Sequence, residues 1–169
     1  MILCLINSCA PRIENELNVP VTIHRHNVYK KDSINTSDTF YLDRIIHNDT
    51  LILNYKYQKT GDDLIFQLTK SLNSDTSITW YGTDCKLLSE NNYLVFQNEF
   101  KVQIYNYDIL SISDEESYIY YNDKYGCLAI DNYGDIRLSY TIEYDKNSKE
   151  LNRLIINDIL QNSKNLYKY

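Results

Sequence analysis

A chain of 169 residues is long enough to bury a hydrophobic core as one domain without help from disulfides or metals. Its 17 basic and 23 acidic side chains give a net charge of −6, which argues against a nucleic-acid-binding protein, because such proteins neutralise phosphates with Lys and Arg. Four glycines and two prolines are too few for a disordered or fibrous chain.

The first nine residues are apolar and end in a cysteine, and two interpretations fit them. They form a buried first strand from Ile2 to Ile6, or they are the remnant of a bacterial lipoprotein signal in which Cys9 carries the lipid. The second interpretation lacks a basic N-terminal region and a full-length apolar region. No apolar run reaches the roughly 18 residues needed to cross a bilayer, so no transmembrane segment is predicted.

A polar segment and a short strand come next in the chain. Residues 11–20 predict a loop, and residues 21–26 predict a strand. His24 and His26 share one face of that strand, which is a spacing that suits two metal ligands. Because the sequence offers no convincing third and fourth ligand, we predict neither a metal site nor a cofactor.

The middle of the chain predicts two helices together with strands. Residues 38–47 and 62–72 show apolar side chains at helical spacing behind a capping or acidic residue, which is typical of helices. Residues 50–57 and 77–82 predict strands, and residues 84–91 predict a loop.

Residues 92–144 dominate the predicted fold. Apolar and polar side chains alternate there with a period of two, and turns rich in Asn, Asp and Gly separate the runs. The region is therefore predicted to be an antiparallel meander with one buried and one solvated face. Gly126 and Gly134 are predicted to occupy hairpin turns. A final helix is predicted to follow Asp145, which caps it.

These elements predict an α+β fold, in which helices pack on one face of an antiparallel β-meander sheet. The chain shows neither an internal repeat nor a linker, so residues 1–169 are predicted to form a single domain. Its four cysteines are scattered without a CxxC pair, which is typical of buried free thiols.

Functional signals also concentrate in residues 92–144. This region holds three basic and nine acidic residues, an acidic excess equal to the net charge of the whole chain, and ten of the 17 tyrosines. Tyrosine is enriched in interface hot spots because its large ring is rigid and has a polar tip. A codon bias toward A and T would also enrich tyrosine. The predicted partner-binding residues are Tyr105, Tyr107, Asp108, Asp114, Glu115, Glu116, Tyr118, Tyr120 and Asp123.

No nucleophile elbow, phosphate-binding loop, dinucleotide fingerprint or zinc-protease motif occurs, so no catalytic residue is predicted and the protein is not expected to be an enzyme. An acidic, tyrosine-rich sheet face instead suits a basic protein partner. The sequence therefore predicts a cytoplasmic bacterial immunity protein, an inhibitor that neutralises a basic partner such as a toxin nuclease. The alternative is a periplasmic or membrane-anchored lipoprotein attached to the envelope through Cys9.

Overall fold

The computed structural model describes residues 15–27, 36–59, 63–74, 76–108, 116–132 and 138–166. Within these ranges the chain forms ten β-strands followed by one α-helix. The strands are β1 (Glu16–Asn27), β2 (Thr36–His47), β3 (Thr50–Lys56), β4 (Leu64–Ser71), β5 (Ser77–Trp80), β6 (Thr83–Val95), β7 (Asn98–Asp108), β8 (Glu116–Asn122), β9 (Gly126–Asn132) and β10 (Leu138–Glu143). The helix is α1 (Lys146–Leu166).

The ten strands form a closed antiparallel barrel in which each strand pairs with its neighbours along the chain. The first strand closes the ring, because Arg25 of β1 lies opposite Thr36 of β2 on one side and opposite Tyr140 of β10 on the other. Closure gives every strand a neighbour on each side and so protects most strand edges from aggregation, although within the described ranges residues 89–95 of β6 pair with β7 alone. The predicted α+β fold is therefore wrong: the described residues are mostly β, and their single helix lies outside the barrel.

The two segments predicted as central helices are the strands β2 and β4. Burial in both strands alternates, with Phe40 and Leu42 inward in β2 and Phe66 and Leu68 inward in β4. Apolar side chains also occur on the outward faces of these strands, so their spacing fits a helix as well as a strand. Pairing with neighbouring strands decides between the two, and local propensity yields to it.

Two segments predicted as loops are also paired strands. Residues 16–20 belong to β1, which has a bulge between Glu16 and Val19, and Asn18 in that bulge has a φ of 57°. Residues 84–91 belong to β6, which has a second bulge. Most side chains in these two segments are exposed, so the sequence is polar and predicts a loop. The backbone groups nevertheless pair with neighbouring strands.

Several predictions at the end of the chain are confirmed. Strands β7 to β10 form a consecutive antiparallel meander, and Gly126 has the positive φ of 90° expected beside a hairpin turn. Helix α1 follows Asp145, whose carboxylate Oδ1 accepts a 2.8 Å hydrogen bond from the backbone N–H of Ser148. Gly134 lies outside the described residues. In the portion that the structure describes, no helix is long and apolar enough to cross a membrane.

The structure has one core inside the barrel and a second core between the barrel wall and α1. Helix residues Leu151 and Ile155 pack in this outer core with Val102 of β7. On the opposite face of β7, Gln103 and Tyr105 are also buried. The predicted solvated face of the meander is therefore wrong at β7, because α1 covers the face that a single sheet would expose to water.

Cys85 and Cys127 are buried free thiols, as predicted from their spacing. Burial raises the pKa of the Cys85 thiol to about 12, so this side chain stays protonated and unreactive near neutral pH. Cys4 and Cys9, and with them the lipoprotein and first-strand interpretations, lie outside the described residues.

One end of the barrel is filled by charged and polar side chains. The Lys70 ammonium is 4% exposed and donates to Asp123 Oδ1 at 2.8 Å and to Gln103 Oε1 at 3.3 Å. The Arg44 guanidinium enters the same end and donates to the carbonyl oxygen of Tyr125 at 3.0 Å. These hydrogen bonds offset part of the desolvation penalty of the two cations, although Arg44 Nε is buried with no hydrogen-bond partner in the described part of the chain and lies 3.7 Å from Glu16 Oε2. Among the described residues, the opposite end of the barrel is not filled in this way, and we call it the open end.

Candidate functional site

The open end of the barrel contains a cavity of about 690 Å³. Packed protein interiors contain few voids larger than a water molecule, so a space of this size is not a packing defect. Pockets for small molecules have volumes of roughly 300 to 1,000 Å³ and mostly apolar walls. Every second residue of a barrel strand points inward, so the ten strands determine which side chains line this cavity.

Aromatic rings from neighbouring strands form one wall of the cavity. Phe66 of β4 lies at the centre of this wall, with its ring centroid 4.0 Å from that of Tyr55 on β3 and 4.6 Å from that of Trp80 on β5. The Trp80 ring in turn meets Tyr81 edge to face at 5.5 Å. We call Tyr55, Phe66, Trp80 and Tyr81 the ring wall; Tyr55 supports it by packing on Phe66 and does not itself line the cavity. Phe66 and Trp80 line the cavity although both are more than nine-tenths buried.

Aliphatic side chains line the opposite side of the cavity. In a ring of ten strands with this order, β4 lies across the barrel from β9 and β5 lies across from β10. Ile130 of β9 and Ile142 of β10 line the cavity on that side, together with Ile23 of the adjacent β1. We call these three isoleucines the aliphatic wall. They are buried, and their β-branched side chains are stiff.

Polar groups lie on one arc of the cavity, from β8 through β9, β10 and β1 to β2. On β8 and β9, the Ser117 hydroxyl donates to Asn132 Oδ1 at 2.8 Å, and both side chains are half-buried. Arg25 and Asp38 line the cavity from β1 and β2 and are exposed, so they lie at its rim. The lining therefore consists of the ring wall, the aliphatic wall and a polar arc that shares strands β1, β9 and β10 with the aliphatic wall.

Tyr81 marks the rim on the side of the ring wall. It begins the turn between β5 and β6, where Tyr81 and Gly82 have φ values of 48° and 78°. Its hydroxyl donates to the carbonyl oxygen of Ile65. Partial burial, and secondarily the nearby Tyr107, raise the pKa of this phenol, so it remains neutral at physiological pH.

The predicted partner-binding tyrosines do not share one surface. Tyr107 lines the cavity. Tyr105 lies inside the barrel with no exposed area and donates to Gln103 Oε1 at 3.2 Å. Tyr118 and Tyr120 lie on the outer side of β8 and pack with the core under α1. These tyrosines therefore serve two cores and the cavity, and they present no continuous face to a protein partner.

The predicted acidic residues are also separated. Asp123 lies at the filled end of the barrel and accepts a hydrogen bond from Lys70. Asp108 and Glu116 pair through their backbones at the opposite end. Asp114 and Glu115 lie outside the described residues. The contact of Asp123 lies within the barrel, so this carboxylate is not part of a separate acidic face.

Apart from Tyr107, none of the residues that line the cavity is among the predicted site residues. Phe66 falls in a predicted helix and Trp80 in a predicted short strand, so no local pattern places their rings side by side. The regular succession of strands and turns along the chain was the available signal, because short strands at even spacing are typical of barrels.

His24 and His26 lie outside the barrel, beside a smaller cavity of about 360 Å³ between β1, β10 and α1. His24 Nε2 lies 3.0 Å from Glu143 Oε2, and His26 Nε2 lies 2.9 Å from Thr141 Oγ1. Burial, and then the neighbouring His24, lower the pKa of His26. Among the residues with described positions, no group of three or more His, Cys, Asp and Glu could hold a metal ion.

No protein-family model, no curated protein and no solved structure matches this chain. The proposed function below therefore rests on the chemistry of the cavity.

Proposed function

We propose that the protein binds a small, largely apolar molecule in the cavity at the open end of its barrel. One observation carries this proposal: the cavity of about 690 Å³ has buried aromatic and aliphatic walls and opens onto a polar arc. Removing apolar ligand surface from water into such a site is favourable by about 25 cal/mol for each Å² buried. The few polar groups would orient the ligand.

The described lining of the cavity suits binding better than catalysis. It contains one carboxylate, that of Asp38, and neither histidine nor cysteine. Proton transfer in an active site generally needs two titratable groups whose environments separate their pKa values. Asp38 is exposed at the rim, and the described lining contains no second carboxylate to pair with it.

The direct test is calorimetric titration of the full chain with anilinonaphthalene sulfonate, an apolar aromatic probe. We expect saturable binding of one probe molecule per chain. Ser117→Phe fills the cavity from β8 and should abolish this binding. Ser77 is exposed at the start of β5 and does not line the cavity, so Ser77→Phe is the matched control.

Two results would contradict the proposal. One is the absence of saturable binding to the native chain. The other is equal binding by the Ser117→Phe and Ser77→Phe variants, because the probe would then occupy a site outside the cavity. Circular dichroism and urea unfolding of both variants separate loss of binding from loss of folding.

An inhibitory role toward a basic protein stays a prediction, as does a cytoplasmic location. The burial of Tyr105 and Tyr120 weakens the acidic, tyrosine-rich face on which that prediction depends. Its test is charge reversal of Asp114, Glu115 and Glu116 to Lys. This change should slow association with a basic partner if the inhibitor hypothesis is correct.

A further inference from the structure

We infer that the molecule bound in the cavity is a flat aromatic compound with a hydroxyl or similar hydrogen-bonding group at one edge. This inference rests on the proposed binding function and concerns the chemical class of the ligand. Three features carry it: the ring wall, the aliphatic wall facing it, and the Ser117–Asn132 pair on the polar arc.

The ring wall offers stacking partners in a fixed position. The planes of the cavity-lining rings Phe66 and Trp80 are inclined by 34°, and Tyr55 packs on Phe66 with an inclination of 27°. The Tyr55 hydroxyl is hydrogen-bonded to Tyr144 at 2.5 Å, which holds the inner end of the wall. An aromatic ligand gains stacking energy there in addition to the energy of area burial, whereas an alkyl chain gains area burial alone.

The aliphatic wall favours the same shape of ligand. Ile130 and Ile142 lie across the barrel from Phe66 and Trp80, so a ligand between them has rings on one side and branched alkyl groups on the other. A flat, rigid molecule contacts both walls without losing rotamer freedom. A flexible chain of equal carbon number must give up conformational entropy to do so.

The Ser117–Asn132 pair supplies the hydrogen-bonding edge. The Ser117 hydroxyl donates its proton to Asn132 Oδ1, and its oxygen can still accept a hydrogen bond. The Asn132 side chain also carries an NH₂ group, which is a donor. A ligand hydroxyl can donate to Ser117 and accept from Asn132, so it matches both members of the pair. Both side chains line the cavity on adjacent strands.

The test compares three probes by calorimetry on the full native chain: naphthol, naphthalene and decanol. Naphthol and decanol have equal numbers of carbon atoms and one hydroxyl each, but decanol has no ring. Simple transfer from water favours decanol, because an alkyl chain exposes more apolar area than a fused ring system. We expect naphthol to bind about tenfold more tightly than decanol. We expect it to bind about fivefold more tightly than naphthalene.

Three variants locate the effect. Phe66→Leu keeps an apolar side chain but removes the central ring of the ring wall, so naphthol affinity should fall about fivefold while decanol affinity is unchanged. Tyr57→Leu, at an exposed cavity-lining position, gives a second ring deletion if Phe66→Leu fails to fold. Phe96→Leu removes an exposed ring outside the cavity and should change neither affinity.

A fourth variant tests the polar edge. Asn132→Ala should bring naphthol affinity closer to that of naphthalene, because it removes one of the two hydrogen bonds to the ligand, and should leave naphthalene affinity unchanged. Equal naphthol affinities for the native chain and this variant would overturn the assignment of the hydrogen-bonding group to the Ser117–Asn132 pair.

The outcomes separate this inference from the proposed function. If decanol binds as tightly as naphthol, and Phe66→Leu leaves their ratio unchanged, the ring preference is wrong and small-molecule binding stands. If none of the probes binds saturably, both are wrong. If naphthol binds but Ser117→Phe does not block it, the binding site lies elsewhere and both are again wrong.

Discussion

The hydroxyl groups of Tyr55 and Tyr144 lie 2.5 Å apart inside the structure. The Tyr144 hydroxyl donates to the carbonyl oxygen of Cys127 at 2.6 Å, so the proton in the shared bond comes from Tyr55. Tyr55 begins the ring wall, and Tyr144 follows β10 just before the cap of α1. This chain of hydrogen bonds therefore links the cavity wall to the segment that positions the helix.

Removing the Tyr144 hydroxyl should destabilise the protein more than removing the Tyr55 hydroxyl. Tyr144→Phe leaves the buried Tyr55 hydroxyl and the Cys127 carbonyl without this partner, which costs about 1–3 kcal/mol. Tyr55→Phe removes one donor and leaves the bond from Tyr144 to Cys127 intact, which costs about 1 kcal/mol. Urea unfolding measures both values. A larger loss for Tyr55→Phe would contradict the assigned direction of the hydrogen bonds.

Gly126 should tolerate alanine less well than Gly82. Both glycines have positive φ, 90° and 78°, so each Ala variant carries backbone strain of about 1 kcal/mol. A Cβ atom at Gly126 would also lie 2.5 Å from Leu53 Cδ1, whereas a Cβ atom at Gly82 has nothing within 4 Å. Gly126→Ala should therefore lower the free energy of unfolding by more than Gly82→Ala.

The added loss at Gly126 should depend on Leu53. In a Leu53→Ala background the steric contact is absent, so Gly126→Ala should cost only about as much as Gly82→Ala. Additive losses in the double variant would show that the contact with Leu53 is not the cause.

The pairing of Asp123 with Lys70 should stabilise the filled end of the barrel. Asp123→Asn keeps the size of the side chain but removes the charge beside a cation that is 4% exposed. The Asp123 side chain is 69% exposed, so solvent screens the pair, and we expect a loss of about 1–2 kcal/mol. Asp49→Asn, in an exposed turn, is the control and should be nearly neutral. Equal unfolding free energies for the two variants would contradict this role of Asp123.

His26 should make stability depend on pH in mildly acidic solution. Burial, and secondarily His24, lower its pKa in the folded state below the usual 6.5, so the unfolded chain binds the proton more readily. The stabilisation that comes from keeping His26 neutral is fully present above about pH 6.5. It is lost as the pH falls from there through the folded-state pKa of His26. Unfolding free energies on both sides of this window should differ less in His26→Gln than in the native chain. His47→Gln, at an exposed position, should keep the native difference.

Local patterns predicted those elements whose structure depends on near neighbours. Alternation identified β7 and β3 as strands, and Asp145 marked the start of α1, because side-chain period and helix capping act over a few residues. The positive φ of Gly126 followed from turn chemistry for the same reason. Among the proposed site residues, however, sequence reasoning found only Tyr107 in the cavity.

Tertiary structure decided what local patterns left open. Strands β2 and β4 carry apolar side chains at spacings that fit a helix or a strand, and pairing with adjacent strands determined the outcome. The barrel closes through β1 and β10, where His24 lies opposite Thr141 although they are far apart in the chain. Only this closure places Phe66 and Trp80 across from Ile130 and Ile142 and so creates the cavity. Ring closure depends on hydrogen bonds between distant backbone segments, which no local period encodes.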